Sequence, residues 1–335
     1  MTCSSETTVR SGNLASGRPE PSPTRNGSTA VSLHPAGAPA SALARALDGW
    51  APEPVSTSRR VDPWASAAFA GVIDAPAPPL DPGDPLPPLW HWFTLLGHPP
   101  HADLGPDGHP ADGAFLPPIP HRRRMFAGGR FRQHRPIPFG AELACRSVLA
   151  DVSAKRGRTG ELAFVTVRHE LTVAGTPVGT EEQEIVYRSQ PDGAARPQPA
   201  PPAPGDAAPG DADWRATWDT DPVRLFRFSA LTYNGHRIHY DQPYATGVEG
   251  YPGLVVHGPL LALLALELPR RHAPTEVVTE FAYRLVRPAF AGATIEATAR
   301  RRGHQLELAV GAQGGGPSLT ATATLGLRSD PKTGT

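Results

Sequence analysis

The chain has 335 residues and a formal net charge of zero, with 32 basic and 32 acidic side chains. With this balance, and with arginines that are not arranged in a stripe, nothing in the sequence suggests the basic surface that nucleic-acid binding requires. The two cysteines, Cys3 and Cys145, exclude a disulfide framework, and the longest strongly apolar run, residues 260–268, is too short to cross a bilayer. Because the first residues also lack the order of a secretory signal, we expect a cytoplasmic protein without a membrane span.

Low-complexity stretches divide the chain. Residues 1–45 are rich in Ser, Thr, Gly, Pro and Ala, which predicts a disordered tail. Residues 189–213 have the Pro, Ala and Gly composition of a semi-stiff linker. We therefore predict an N-terminal half over residues 46–188, a C-terminal half over residues 214–328, and a short tail over residues 329–335.

The N-terminal half contains the weaker secondary-structure signals. Residues 88–96 are aromatic and apolar, which predicts a short helix, and a loop rich in Pro, Gly and His follows as far as residue 121. Apolar and polar residues alternate over residues 163–173, and residues 143–152 and 184–187 are further strand candidates.

The C-terminal half contains the most informative segment. Asn234, His236, His239 and Asp241 lie within eight residues, just after an apolar-aromatic segment. An amide, two imidazoles and a carboxylate so close together can transfer protons and hold a water molecule. A Gly-Pro step at residue 258 then opens an apolar helix, whose first N–H groups are donors for a carbonyl or thioester oxygen.

A buried helix and four strands are predicted after that segment. Residues 258–268 are apolar nearly all round, with Pro259 suited to the first turn and Pro269 to the end. Four runs then show the alternation of antiparallel strands that are covered on one face: residues 277–285, 293–299, 306–310 and 319–327. A sheet wrapped around a helix is the hot-dog arrangement. Two such halves predict an α+β double hot-dog fold with a central apolar helix in each half.

Several of these segments resemble the MaoC-like, or hydratase-2, group of dehydratases. Residues 228–245 and 250–260 carry the pattern of the whole superfamily, and the resemblance extends from about residue 61 to residue 327. The narrower resemblance is to the FAS1-like dehydratase and mesaconyl-C4-CoA (3-methylfumaryl-CoA) hydratase branch. It rests on four motifs of the first half: Trp90-His-Trp92, Leu104-Gly-Pro-Asp-Gly-His109, Phe115-Leu-Pro-Pro118 and Arg124-Met-Phe-Ala-Gly-Gly-Arg130. The resemblance implies that the N-terminal half is a degenerate FAS1-like domain and the C-terminal half the catalytic one.

The resemblance also assigns roles within the loop. In most relatives the catalytic loop reads Asp-x-Asn-Pro-x-His, which places the histidine at His239, the asparagine at His236 and the aspartate at Asn234. The usual aspartate is therefore missing, and an amide cannot take a proton at neutral pH. The acid–base role is expected to fall on His239, with Asn234 holding the water or the ring. Gly258 and Leu260 are the N–H groups expected to bind the thioester oxygen.

Each residue also has a structural interpretation. His239 could be a core histidine, and His236 could either support it or simply fill the loop. Asp241 is expected to brace the loop through its carboxylate. His257 precedes the buried helix and could be structural or could touch the substrate.

Basic and histidine-rich stretches of the first half admit two interpretations each. Six histidines lie between His91 and His134, but no paired cysteines or clustered carboxylates accompany them, so we expect no metal site. Arg124 and Arg130 could hold the phosphates of coenzyme A or a carboxylate of the acyl group. A solvated strand edge is the alternative.

The leading functional hypothesis is a hydro-lyase that needs no cofactor and acts on an enoyl-CoA thioester. The resemblance favours a short branched or dicarboxylic substrate such as mesaconyl-C4-CoA. The alternatives are a dehydratase of 3-hydroxyacyl thioesters carried by acyl carrier protein and a non-catalytic module that binds acyl thioesters. A homodimer is optional, since the two halves can pair within one chain.

Overall fold

The computed structural model describes residues 41–157, 160–189 and 211–327. Residues 1–40 of the predicted tail (1–45), residues 190–210 of the predicted linker (189–213) and all residues from 328 onward lie outside the described residues. No helix in the described ranges is long and apolar enough to span a membrane.

Four α-helices and ten β-strands make up the described structure. The helices are α1 (Ala42–Leu47), α2 (Pro63–Val72), α3 (Pro222–Leu231) and α4 (Gly258–His272). The strands are β1 (Val55–Arg60), β2 (Arg122–Gln133), β3 (Glu142–Gly157), β4 (Gly160–Val173), β5 (Thr176–Ser189), β6 (Trp214–Asp219), β7 (Glu276–Leu285), β8 (Thr294–Arg302), β9 (Gln305–Ala312) and β10 (Pro317–Leu327). Short 3₁₀ turns occupy Trp90–Phe93, His101–Asp103 and Arg237–His239, and a π-helical turn occupies Tyr244–Val248.

All ten strands form one antiparallel sheet in the order β1-β3-β4-β5-β2-β7-β10-β9-β8-β6. From its centre outward, each half repeats the same order, with β2 and β7 innermost and β1 and β6 at the two edges. The halves join where β2 pairs with β7, from Gly128 opposite Arg284 to Arg132 opposite Glu280.

The repeat extends to the helices that follow the edge strands. Both α2 and α3 begin with an Asp-Pro step, and each aspartate caps its helix by accepting a hydrogen bond from a backbone N–H. The donors are Trp64 N to Asp62, at 2.7 Å, and Arg224 N to Asp221, also at 2.7 Å. The same local signal therefore starts the corresponding helix in each half.

Helix α4 is the core of the second half, and β7 to β10 wrap around it. Its residues from Leu260 to Pro269 are all buried. The helix continues past Pro269, which was predicted to end it, to His272. Two ion pairs stabilise this last turn, since the buried Glu267 binds Arg270 at 2.6 Å and Arg271 at 3.4 Å. The predicted α+β hot-dog class is confirmed.

The first half differs from the prediction in one respect. The expected central helix exists only in the second half, because among the described residues of the first half the aromatic segment forms just the turn Trp90–Phe93. Leu89, in front of that turn, has a left-handed φ of 66°, and prolines flank the segment on both sides. The aromatic rings pack against α2 instead. The ring centroid of Phe69 lies 5.1 Å from that of Trp90 and 4.8 Å from that of Phe93.

Candidate active site

His239 is a buried base whose tautomer is fixed by a neighbouring carbonyl. The ring is 7 % exposed, and its Nδ1 lies 2.7 Å from the carbonyl oxygen of Val255. Because a carbonyl only accepts, Nδ1 carries the hydrogen and Nε2 keeps its lone pair. A backbone hydrogen bond holds the same two segments together, since Val255 N donates to the Ile238 carbonyl at 2.9 Å.

Burial decides the charge of this imidazole. Burial lowers the pKa of His239 to about 4, although the hydrogen bond to Val255 opposes the shift. His239 is therefore neutral at pH 7, and its Nε2 lone pair is able to accept a proton.

Four imidazoles form a continuous row, which we call the histidine row: His109, His236, His239 and His257. The His257 ring stacks on His239 with centroids 3.7 Å apart. The His236 ring stands at 89° to His239 at 5.4 Å, and His109 lies 4.0 Å from His236. The row ends at Ser229 Oγ, 2.8 Å from His257 Nε2, and at Asp107 Oδ2, 3.1 Å from His109 Nδ1.

The first half contributes one end of this row through the tight turn at residues 104–109. Arg237 N donates to the Asp107 carbonyl at 2.9 Å, and the Arg237 guanidinium donates to the Pro106 carbonyl at 3.0 Å. Gly108 has φ +87°, and a Cβ placed there would be 1.9 Å from the carbonyl oxygen of Gly235. Only glycine allows two backbones to approach so closely. The two loops are therefore in direct contact.

Asp107 and His109 were not among the predicted site residues. The motif that contains them was identified only as a family pattern of the first half, and nothing in the sequence places it against residues 234–237. Burial raises the pKa of Asp107, but the hydrogen bonds from the His109 ring and backbone, together with the charges of His109 and His236, hold the pKa below its ordinary value. Asp107 is thus an ionised partner for His109.

The start of α4 presents Gly258 to the same cleft. Gly258 lines the cleft, and a Cβ there would lie 2.4 Å from Cδ1 of Leu285. The first N–H groups of a helix have no partner within it and attract negative charge. Leu260, predicted as the second donor, has a fully buried side chain and is not among the residues that line the cleft. Of the two predicted donors, the structure brings only Gly258 to the cleft.

The other predicted loop residues hold the loop in shape. Asn234 lines the cleft, and its Oδ1 accepts from His236 N at 3.0 Å, which fixes the turn before His239. Asp241 accepts from Tyr244 N at 3.1 Å and from Arg237 Nε at 3.0 Å, so it braces the loop as predicted. His257 is fully buried behind His239 and does not line the cleft.

A cleft of about 1660 Å³ runs between the two halves and is lined by residues of both, among them His109, Arg124, His236, His239 and Gly258. Arg124 of β2 lies near enough to contribute to the low pKa of His236, although burial is the main cause.

Arg130, the other predicted arginine, does not reach this cleft. A β-bulge between Phe126 and Gly128 reverses which side chains of β2 face inward. Both arginines are exposed, but Arg124 stands opposite the buried Tyr187, whereas Arg130, after the bulge, stands opposite Glu182 and next to the buried Phe131.

A second polar group is buried in the first half. Glu181 is 2 % exposed, and its carboxylate lies 2.7 Å from His91 Nε2 and accepts from Trp92 Nε1 at 2.8 Å. Two residues of the Trp90-His-Trp92 motif therefore satisfy one buried carboxylate. Burial raises the pKa of Glu181, but the His91 hydrogen bond and charge bring the pKa below its ordinary value.

One cluster in the described ranges could offer ligands to a metal ion. Asp107, His109 and His236 each place a donor atom within 4.8 Å of the other two. The hydrogen bond between Asp107 and His109 accounts for the proximity of two of them without an ion. The expectation of no metal site stays a prediction.

Comparison with known proteins identifies related sequences over most of the chain. Residues 89–291 match the family model of hydroxyacyl-thioester dehydratase type 2. A mesaconyl-C(4)-CoA hydratase of Chloroflexus aurantiacus is 45 % identical over 259 residues, which is 77 % of this chain and 90 % of the relative. The mitochondrial hydroxyacyl-thioester dehydratase type 2 of Schizosaccharomyces pombe is 27 % identical over 244 residues, covering 65 % of this chain and 77 % of the relative.

Solved structures share the fold at low sequence identity. A MaoC-like dehydratase from Phytophthora capsici matches with a TM-score of 0.61 at 15 % identity, covering 84 % of this chain and 98 % of that chain. HtdX of Mycobacterium tuberculosis matches with a TM-score of 0.55 at 18 % identity, covering 81 % and 99 %. These likenesses support the hot-dog architecture.

Proposed function

Since the chain belongs to the hydroxyacyl-thioester dehydratase type 2 family, we propose that it is a hydro-lyase that adds water to the double bond of mesaconyl-C4-CoA. The observation that carries the proposal is the 45 % identity to a mesaconyl-C(4)-CoA hydratase over 90 % of that relative. The site supports it independently, because a neutral buried imidazole and a helix N-terminus border one cleft.

His239 is the proposed base. Its Nδ1 hydrogen is held by Val255, so Nε2 is left to remove a proton from water as the water oxygen attacks the β-carbon. A positioned acid–base group of this kind contributes about 10²- to 10⁴-fold to the rate. Asn234, whose oxygen is engaged by His236 N, has its amide N–H groups left to orient that water.

Gly258 is the proposed donor to the thioester oxygen. As water adds, negative charge develops on this oxygen, and a backbone N–H at the start of α4 stabilises it together with the helix dipole. Pro259 has no N–H, and Leu260 does not line the cleft, so this role is assigned to Gly258 alone. Losing such a donor costs about 3 kcal/mol in the transition state.

Arg124 is the proposed partner of the second carboxylate of a dicarboxylic acyl group. It lines the cleft and lies near His236, where a guanidinium can bind a carboxylate in bidentate geometry. The phosphates of coenzyme A are the alternative partner for this arginine. Neither role needs a bound cofactor, and we expect the enzyme to act without one, in the cytoplasm, with dimerisation optional.

A second candidate is the dehydration of 3-hydroxyacyl thioesters on acyl carrier protein. The 27 % identity to a hydroxyacyl-thioester dehydratase favours it, and the chemistry is the reverse of hydration at the same groups. A module that binds thioesters without reacting is the third candidate. The neutral, tautomer-fixed His239 argues against it, because binding alone needs no such base.

The test is a direct assay with purified protein. Mesaconyl-C4-CoA, crotonyl-CoA and a 3-hydroxyacyl thioester of acyl carrier protein are incubated separately, and enoyl absorbance is followed. We expect mesaconyl-C4-CoA to be consumed fastest and His239→Gln to lose at least about 100-fold in kcat. Equal rates for the wild type and the variant would refute the catalytic role of His239. Preferential turnover of the carrier-protein substrate would favour the second candidate.

A further inference from the structure

We infer that the first half supplies a catalytic residue, His109, which Asp107 positions, as the second acid–base group of the site. The inference rests on the proposed hydration reaction and deepens it. It concerns the group that replaces the aspartate missing from the loop at Asn234.

The reaction needs two proton transfers. Water loses a proton as it attacks the β-carbon, and the α-carbon gains one. His239 enters the cycle neutral, because burial lowers its pKa to about 4, so it can accept the proton of water as the water attacks. Delivery of the other proton in the same step needs a second group on the wall of the cleft that already carries one.

His109 and Asp107 have the geometry of an acid–base pair. The carboxylate lies 3.1 Å from His109 Nδ1, which leaves Nε2 as the nitrogen that the carboxylate does not contact. Asp107 also accepts from His109 N at 3.0 Å, and Gly105 N donates to the His109 carbonyl at 2.7 Å. Backbone and side chain are therefore fixed together, and a carboxylate on Nδ1 stabilises the imidazolium form.

The location of His109 matches this role. It lines the same cleft as His239 and Gly258. The turn that contains His109 contacts the loop before His239 at Gly108, where a side chain would overlap the Gly235 carbonyl. The contact joins residues more than a hundred positions apart, so the first half is built to bring this imidazole to the site.

The proposed step is balanced within the site. His239 Nε2 takes one proton of water, the water oxygen bonds to the β-carbon, and the electron pair of the double bond moves towards the α-carbon and the thioester carbonyl. The His109 imidazolium gives its Nε2 proton to the α-carbon. The proton on His239 then returns to His109 through His236, whose ring neighbours both at 5.4 Å and 4.0 Å. One water is added and no other reactant is consumed.

Several charged or titratable groups border His109. Asp107 of its own turn contacts the ring through its carboxylate, and His236, His239 and Arg124 line the same cleft.

The test compares His109→Gln and Asp107→Asn with His101→Gln, a control at an exposed histidine of the same segment. We expect His109→Gln to lower kcat for mesaconyl-C4-CoA by about 100-fold or more while KM changes by less than about threefold. The alkaline limb of the wild-type pH profile, which reports the loss of the imidazolium, should disappear. Asp107→Asn should move that limb to lower pH, because an amide does not stabilise the imidazolium.

A second variant guards against a merely structural effect. His109→Gly should regain activity when imidazole is added, since free imidazole can occupy the vacated space and transfer the proton. An active wild type whose kcat and pH profile survive His109→Gln would overturn the inference. Loss of wild-type activity on chelation, with recovery on adding Zn²⁺, would also overturn it. A wild type that is inactive on every thioester would instead overturn the proposed function.

Discussion

The acid side of the pH profile gives the sharpest quantitative prediction. His239 acts as a base only when it is neutral, so kcat/KM should fall as the pH drops through the pKa of that ring in the free enzyme. Burial places this pKa at about 4 instead of the ordinary value of 6.5. At pH 5 about nine tenths of the molecules would keep a neutral His239, against about 3 % for a ring of ordinary pKa. The two cases differ about 30-fold in rate.

The assay is the initial rate of mesaconyl-C4-CoA hydration between pH 4 and pH 8 at low substrate concentration. An acid midpoint near 4 supports the account, and His239→Gln, measured over the same range, should lack this limb. A wild-type midpoint near 6.5 would refute the reasoning, because it would mean that the imidazole is solvated.

The same shift has a consequence for stability. The folded-state pKa of His239 lies below its unfolded value, so the unfolded chain binds more protons between about pH 4 and pH 6.5. The free energy of unfolding should therefore fall as the pH decreases from 7, by about 2 kcal/mol at pH 5 from this residue alone. Denaturant titrations of the wild type and His239→Gln at both pH values measure the difference, and equal pH dependence in the two proteins would contradict it.

Three further substitutions test the packing around the site. Gly108→Ala should cost more than about 1 kcal/mol and should reduce kcat, because its Cβ would overlap the Gly235 carbonyl. Gly83→Ala, at a similar φ of +95° with open space around it, is the matched control in denaturant titrations, and equal losses would argue against loop docking. His91→Leu should destabilise the protein by about 3–5 kcal/mol, since it leaves the buried Glu181 without its nearest partner, and a loss below about 1 kcal/mol would contradict this role of His91. Arg124→Ala should raise KM for mesaconyl-C4-CoA more than for crotonyl-CoA, whereas Arg130→Ala, on the outer face, should change neither. An unaltered KM ratio in Arg124→Ala would remove that arginine from acyl recognition.

Local signals made much of the second half predictable. The Gly-Pro step marks the start of α4, and period-two alternation marks β7 to β10, because one face of each strand is covered by that helix. The bracing role of Asp241 also follows from local chemistry, since its carboxylate reaches N–H groups within four residues.

Other features depend on long-range contacts, which produce no local pattern in the sequence. The turn at Asp107 to His109 meets the catalytic loop across more than a hundred residues, and only the fold brings them together. The bulge in β2 separates Arg124 from Arg130, although a spacing of six would put both on the same face of a regular strand. In the first half, packing of Trp90 and Phe93 against Phe69 prevails over the apolar pattern that predicted a helix.

The most direct test of the central claim is a crystal structure of the His239→Gln variant with mesaconyl-C4-CoA bound. We expect the thioester oxygen within about 3 Å of Gly258 N and the β-carbon beside the side chain at position 239, with a water between the β-carbon and that side chain. A thioester bound elsewhere in the cleft, with its carbonyl away from the start of α4, would contradict it.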